Sequence, residues 1–229
     1  MTKTLTELRA TAPWLLHVST DIVIFTIREG ELRVLLRRRY SEAMSVTCWA
    51  LPGGYLGPVE PLEQCAQRTL AHQTGIDDVY LEQLYTFGRP DRHPKSRVIT
   101  VAYFALIPWE RVCAESAEGV PHIAWRHVDA LPDLYLDHAE IIDQARQRLV
   151  SKLQYSTIGF EFMPEQFTLG ELQCVYETIL GEPLDKRNFR KKVLAFGCVE
   201  DTGEQRRNGS HRPARLYRYT APGEVLYIK

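Results

Sequence analysis

No run in this chain approaches the roughly 20 consecutive apolar residues of a membrane helix, which excludes a helical span. The cysteines offer no covalent frame. Cys48, Cys65, Cys113, Cys174 and Cys198 are odd in number, scattered, and without a Cys-x-x-Cys pair, so neither a disulfide scaffold nor a structural zinc is expected. The opening stretch, Met1-Thr-Lys-Thr-Leu-Thr-Glu-Leu-Arg, has no signal-peptide apolar region, and the expectation is a cytoplasmic protein with reduced thiols. Internal repeats and low-complexity tracts are also lacking. Net charge is nearly lacking, at −1, but its distribution is uneven. From Lys186 to Arg218, ten Lys or Arg stand against Glu200, Asp201 and Glu204, a balance of +7 that leaves −8 on the remainder. A basic C-terminal module is attached to an acidic body.

With 229 residues, 45% of them hydrophobic, the chain can build two modest cores, and we divide it at 1–150 and 151–229. Alternating patterns predict a hairpin of Val18–Arg28 and Leu32–Leu36 turning at Glu29-Gly30-Glu31, then a polar loop. Pro61 to Thr74 reads as an amphipathic helix, with Leu62, Cys65, Ala66, Thr69 and Leu70 on one side and Gly75 as its stop. Strands follow at Val79–Phe87, at Arg97–Trp109, whose apolar run suggests a central strand, and at Ile123–Val128. A helix from His138 to Leu153 closes the first domain with Ile141, Ile142, Ala145, Leu149 and Leu153 on one face. In the second domain Thr168 caps a helix, with Glu171 completing a capping box and Leu169, Leu172, Val175, Tyr176 and Ile179 forming its apolar side. Asp185 caps another helix from Lys186 to about Phe196, Gly197 ends it, and Cys198–Tyr219 reads as a hairpin with a Gly/Arg-rich tip.

Gly54-x5-Glu60-x7-Arg68-Thr69-Leu70-Ala71-His72-Gln73-Thr74-Gly75-Ile76 has the frame of the Nudix box, G-x5-E-x7-R-E-U-x-E-E-x-G-U, where U is aliphatic. In the full box the glutamates share a helical face, bind divalent metal beside a pyrophosphate and activate water. Here Thr69, His72 and Gln73 stand in place of three glutamates. None supplies the anionic oxygen that magnesium prefers, so no metal site, no catalytic residue and no diphosphate hydrolysis are expected. A rescue by Glu60, Glu63 and His72 would have to rebuild octahedral geometry from mixed ligands.

Lys186, Arg187, Asn188, Arg190, Lys191 and Lys192 would lie on the second helix of a helix-turn-helix. Arg206, Arg207, His211 and Arg212 fall in the hairpin tip, a wing. In such a module the second helix enters the major groove and the wing grips phosphate or the minor groove. One basic helix alone is more often a solvated face, with Phe189, Val193 and Leu194 toward the core. A second cluster of cations in a Gly/Asn/Ser loop, where no apolar surface needs covering, favours double-stranded DNA as partner.

Together these motifs resemble the Nudix-related transcriptional regulators of NAD metabolism. The likeness covers nearly the whole chain and rests on Trp49-Ala-Leu-Pro-Gly-Gly, Thr86-Phe-Gly-Arg-Pro-Asp-Arg-His-Pro-Lys-Ser-Arg-Val, Leu131-Pro-Asp-Leu-x-x-Asp-His and Lys152-Leu-Gln-Tyr-Ser. Its most specific parts are Phe167-Thr-Leu-x-Glu-Leu-Gln and Asp185-Lys-Arg-Asn-Phe-Arg-Lys-Lys. The resemblance implies an α+β fold, a Nudix α/β/α sandwich followed by a winged helix. It implies a homodimeric repressor on an inverted-repeat operator near NAD biosynthesis or salvage genes, with ADP-ribose or a related nucleotide as effector and no other cofactor. The family's Arg-Asp-Pro-Arg-x-Arg turn stands here as Arg92-His93-Pro94-Lys95-Ser96-Arg97, so Arg92 and Arg97 are ligand candidates although His93 replaces the acid. Glu60 and Arg68 are carried over by position, Arg68 being either a ligand contact or half of a structural ion pair. An active ADP-ribose or nucleoside-diphosphate pyrophosphatase that binds DNA, and a regulator of sugar catabolism, are the alternatives.

Overall fold

The computed structural model describes residues 16–41, 46–75, 77–115, 122–207 and 213–227. Strand β1 (Leu16–Arg28) is apolar on both sides: Ile22 and Ile24 point to one face, Val23 and Phe25 to the other, and all four are fully buried. A strand of that kind belongs inside a sheet covered on both faces. It lies between β2 (Glu31–Ser41) and β6 (Arg97–Leu106) in the order β3-β2-β1-β6-β5, with β3 at Val46–Ala50 and β5 at Tyr80–Phe87. The short β4 (Gly53–Tyr55) pairs with β1, and β7 (Ile123–His127) with β2. The β1–β6 pair is parallel, and the apolar run in β6 is an interior strand, as its composition suggested.

Helix α1 (Leu62–Thr74) shares a cluster with Ile22, Ile24 and Tyr103 through Ala66 and Leu70. On the other face α3 (His138–Tyr155) buries Ile141, Ala145 and Leu149 with Val23, Phe25 and Phe104. This is the α/β/α sandwich.

Two expectations are corrected. The polar loop expected after Leu36 is replaced by the rest of β2 and by β3, whose ladder pairs Arg38 with Trp49. Arg37, Arg38 and Arg39 hide the strand because their charge masks the apolar stems. Arg38 stacks over Trp49 at 5.3 Å and Arg39 over Tyr135 at 4.6 Å, so the guanidinium groups pack as well as solvate. The strand expected to reach Trp109 ends at Leu106, and α2 (Trp109–Glu115) begins there. Pro108 cannot extend a ladder, but its carbonyl accepts from the Arg111 and Val112 amides and opens the helix. Trp109 is packed edge-on to Trp125.

Helix α3 runs unbroken to Tyr155, past residue 150, and a 3-10 turn (Ile158–Phe162) follows. The capping box that starts α4 (Leu169–Leu180) is present in full: the Thr168 hydroxyl accepts from the Glu171 amide at 3.1 Å, and the Thr168 amide donates to the Glu171 carboxylate at 2.7 Å. Gly181 ends α4 at φ 73, where a side chain would be strained. Asp185 caps α5 (Lys186–Ala195). Strands β8 (Val199–Arg206) and β9 (Ala214–Tyr219) form the wing, and Phe167 bonds both ways to Tyr217 as a third short partner. The winged helix does not stand apart. Phe160 stacks on Tyr219 at 4.5 Å, and one buried cluster runs from Phe25 in the sheet to Phe189 and Val193 in α5.

Candidate functional site

At the end of the sheet where β1 and β6 begin, a cleft of about 270 Å³ is lined by Asp21, Arg37, Arg39, Arg92, His93 and the Gly53–Tyr55 backbone, among others. Alternation along β2 sets Arg37 and Arg39 on one face, two residues apart. Burial, and then repulsion from Arg39, lower the Arg37 pKa, while Asp21 opposes the shift. The Arg37 Nε is buried with no hydrogen-bond partner. His93 is also held below the usual imidazole range, first by burial and then by the cations Arg39 and Arg92. Arg37 and Arg39 thus make the β2 side of the cleft positive.

Arg92 plays a different part. It is 5% exposed, and its guanidinium forks onto Asp137 with bonds of 2.9 and 2.8 Å while Asp21 lies 3.5 Å away. Burial works to lower its pKa, yet the two carboxylates outweigh that and raise it. Beside it, His138 accepts the Leu51 amide on Nδ1 at 2.8 Å, and its full burial lowers its pKa, so the ring is a neutral acceptor.

The box helix faces this cleft through β4. Gly53 and Gly54 allow a close approach: a Cβ on Gly53 would stand 2.3 Å from Asp21 Oδ1, and one on Gly54 2.7 Å from Thr69 Oγ1. Gln73 accepts from the Gly53 amide at 3.1 Å and donates to its carbonyl at 2.8 Å. An amide side chain answers both ends of a peptide in this way, and an ionised carboxylate cannot. Thr69 is buried against Gly54, and His72 is exposed. A hard cation wants several anionic oxygens converging, and this donor set does not fit one. We expect Gln73→Glu to lose about 1 to 3 kcal/mol, because a carboxylate would face the Gly53 carbonyl with no proton to give; thermal denaturation checks it.

Lys186, Arg187, Asn188, Arg190 and Lys191 are all exposed on α5, opposite or beside the buried Phe189 and Val193. Arg187 and Lys191, four apart, share the outward face. None of the four cations in this set has an ion pair among the described residues. The turn that aims the helix is pinned by Glu177, which accepts from the Leu184 amide and from Gln173. In the wing, Arg207 is exposed, but Arg206 is bound to the Glu171 carboxylate at 2.9 Å and the Gln166 carbonyl at 3.0 Å, tying β8 to the capping box. His211 and Arg212 lie outside the described residues.

Comparison with known proteins bears on both halves. Residues 15–145 match the NUDIX domain, and residues 159–219 match the NrtR DNA-binding winged helix domain. The chain is 39% identical over 206 residues to the "ADPR responsive transcriptional repressor NtrR" of Acinetobacter baylyi, covering 88% of this chain and 81% of that protein. It belongs to the NrtR family. The crystal structure of Shewanella oneidensis NrtR with a 27mer DNA is similar at a TM-score of 0.81 and 36% identity, over 88% of this chain and 93% of that one. The NUDIX domain of the same Shewanella protein, solved with ADP ribose, is similar at 0.50 and 31%, over 64% of this chain and 99% of that one.

Of the ligand residues expected for this NrtR-family chain, the structure brings only Arg92 to the cleft, and its guanidinium is already occupied by carboxylates. Arg68 and Glu60 are bound to each other at 2.6 and 2.8 Å near the rim, and the Arg68 bond, followed by the Gly57 amide, holds the Glu60 carboxyl down at about 2. Arg97 is half-buried and donates to the Arg89 carbonyl at 2.9 Å. Arg37 and Arg39 were missed. The available signal was two arginines at i, i+2 directly continuing an apolar strand, which puts two charges on one side of a sheet.

Proposed function

We propose that this chain is an ADP-ribose-responsive transcriptional repressor without hydrolase activity, acting as a symmetric dimer on an inverted-repeat operator of NAD biosynthesis or salvage genes. The observation that carries the sensing half is the pair Arg37 and Arg39, two residues apart on β2 and both lining the cleft. A diphosphate supplies the acceptors that this pair lacks. Arg92 then acts through Asp137, fixing the wall against which the ligand rests. The ligand-sensing module extends to the end of α3, with the DNA-binding module beginning at the 3-10 turn.

On DNA, the outward face of α5 enters the major groove, with Arg187 reading a base edge, Lys191 and Arg207 on phosphate, and Arg206 holding the wing in place. Arg187→Ala should relax sequence preference at one operator position, costing on the order of 1 to 3 kcal/mol of specific binding. An unchanged ratio of specific to nonspecific affinity would place Arg187 on phosphate.

A mobility-shift titration decides the whole reading. A palindromic promoter fragment should bind more tightly than random duplex, in a salt-sensitive way, and ADP-ribose should release it. Release of AMP from ADP-ribose in magnesium or manganese, abolished by Glu60→Gln, would establish a hydrolase instead.

A further inference from the structure

His93 takes the place of an acid in the family's turn, and the fold sets it in the wall of the cleft with Arg37 and Arg39 of β2. Its ring is oriented by its own turn. Nδ1 takes a long bond from the Lys95 amide, at 3.4 Å, and lies 3.2 Å from the Ser96 hydroxyl. An amide can only donate, so Nδ1 is the bare nitrogen of the neutral ring and Nε2 carries the hydrogen. Among the described residues, that second nitrogen has no hydrogen-bond partner.

The charges around the ring come from several elements. Arg39 of β2, His17 of β1, and Arg92 and Lys95 of the same turn all oppose a proton on it and add to the effect of burial. Asp21 of β1 is the acid of the cleft, but Arg92 lies 3.5 Å from it, and the neutral His138 at the start of α3 lies 3.9 Å from it. Without a ligand the His93 ring is therefore neutral near neutral pH. A diphosphate reverses the balance, because a dianion in a cleft of about 270 Å³ favours the imidazolium that the surrounding cations disfavour. The added proton comes from solvent and settles on Nδ1, where the Ser96 hydroxyl turns from donor to acceptor and the long Lys95 bond is given up. Nε2–H is left to donate to a phosphate oxygen.

We propose, resting on the ADP-ribose function assigned to this cleft, that His93 is a third diphosphate-binding side chain beside Arg37 and Arg39, and that ADP-ribose brings a proton from solvent onto it. The effector is then held more tightly as pH falls. Affinity is greatest below the midpoint of the ligand-free ring and declines as pH rises toward the higher midpoint of the complex.

Calorimetric titration of the full chain with ADP-ribose near neutral pH, in two buffers of different ionisation enthalpy, counts the protons taken up, since the diphosphate itself does not titrate there. In the parent, uptake approaches one proton, and affinity falls by up to about tenfold per pH unit between about pH 6 and about pH 8. His93→Asn keeps an acceptor for the Lys95 amide and has no basic nitrogen. It binds ADP-ribose roughly tenfold more weakly at the acid end, takes up no proton and gives a flat profile. His17→Asn keeps both the uptake and the slope. Proton NMR of the His93 ring in the parent reads the same event without a variant, as a midpoint that rises when ADP-ribose is added. No uptake by the parent, uptake or slope retained in His93→Asn, or a His93 midpoint that ADP-ribose leaves in place overturns the proposal while the ADP-ribose function stands. Absence of any ADP-ribose binding overturns both.

Discussion

Replacing Asp137 with Ala is expected to destabilise the protein by on the order of 3 kcal/mol, the lower end of what breaking a buried ion pair costs. The change leaves the Arg92 guanidinium 5% exposed with both of its short bonds gone. Asp21, 3.5 Å away, offers partial compensation and keeps the loss from being larger. For a chain of this size the midpoint should fall by roughly 6 to 12 °C. A fall of less than about 2 °C would show that the pair is solvated and not structural. A double change, Arg92→Met with Asp137→Leu, should recover only part of the loss, because the apolar pair carries no desolvation penalty but leaves the buried Asp21 without the guanidinium beside it. Recovery of stability without recovery of ADP-ribose binding would place Arg92 and Asp137 in the wall of the cleft as well as in the fold.

The elements that the sequence disclosed are those whose period is written in apolar residues or whose ends carry a cap. Thr168 with Glu171, Asp185 and Gly75 each mark an end that the structure places where expected, and every apolar residue named for α3 and α4 is buried. The elements that were hidden are those in which side chains do two jobs. Arg37 to Arg39 read as a loop because their charge masks stems that pack on Trp49 and Tyr135. Trp109 read as strand because an aromatic suits a ladder, and only Pro108 shows that the ladder has ended. The cleft was less legible than the fold for a similar reason. The family resemblance brings Arg68 and Arg92 forward and leaves Arg68 between ligand contact and ion pair, but it does not reveal that Arg92 is held by Asp137, 45 residues away. Arg206 likewise stands in a run of cations, and only the fold shows it bound to Glu171, 35 residues away.

Arg37→Ala is expected to give the converse result to Asp137→Ala. If Arg37 meets the diphosphate, ADP-ribose affinity should fall by roughly 10- to 150-fold, corresponding to about 1.5 to 3 kcal/mol for a hydrogen bond to a charged group. Stability should hardly change, or should rise slightly, because the variant removes a buried Nε that has no partner and a cation that Arg39 repels. Operator affinity without ligand should be that of the parent, while the ADP-ribose concentration needed for release rises in proportion to the lost affinity. Arg39→Ala should act in the same direction, and the double variant should lose less than the sum, since removing one cation relieves the desolvation and repulsion borne by the other. Parental ADP-ribose affinity in both single variants would move the diphosphate away from β2, toward Arg97 at the start of β6. Calorimetry on the three variants, with melting curves beside them, separates a residue that meets the ligand from one that holds the cleft.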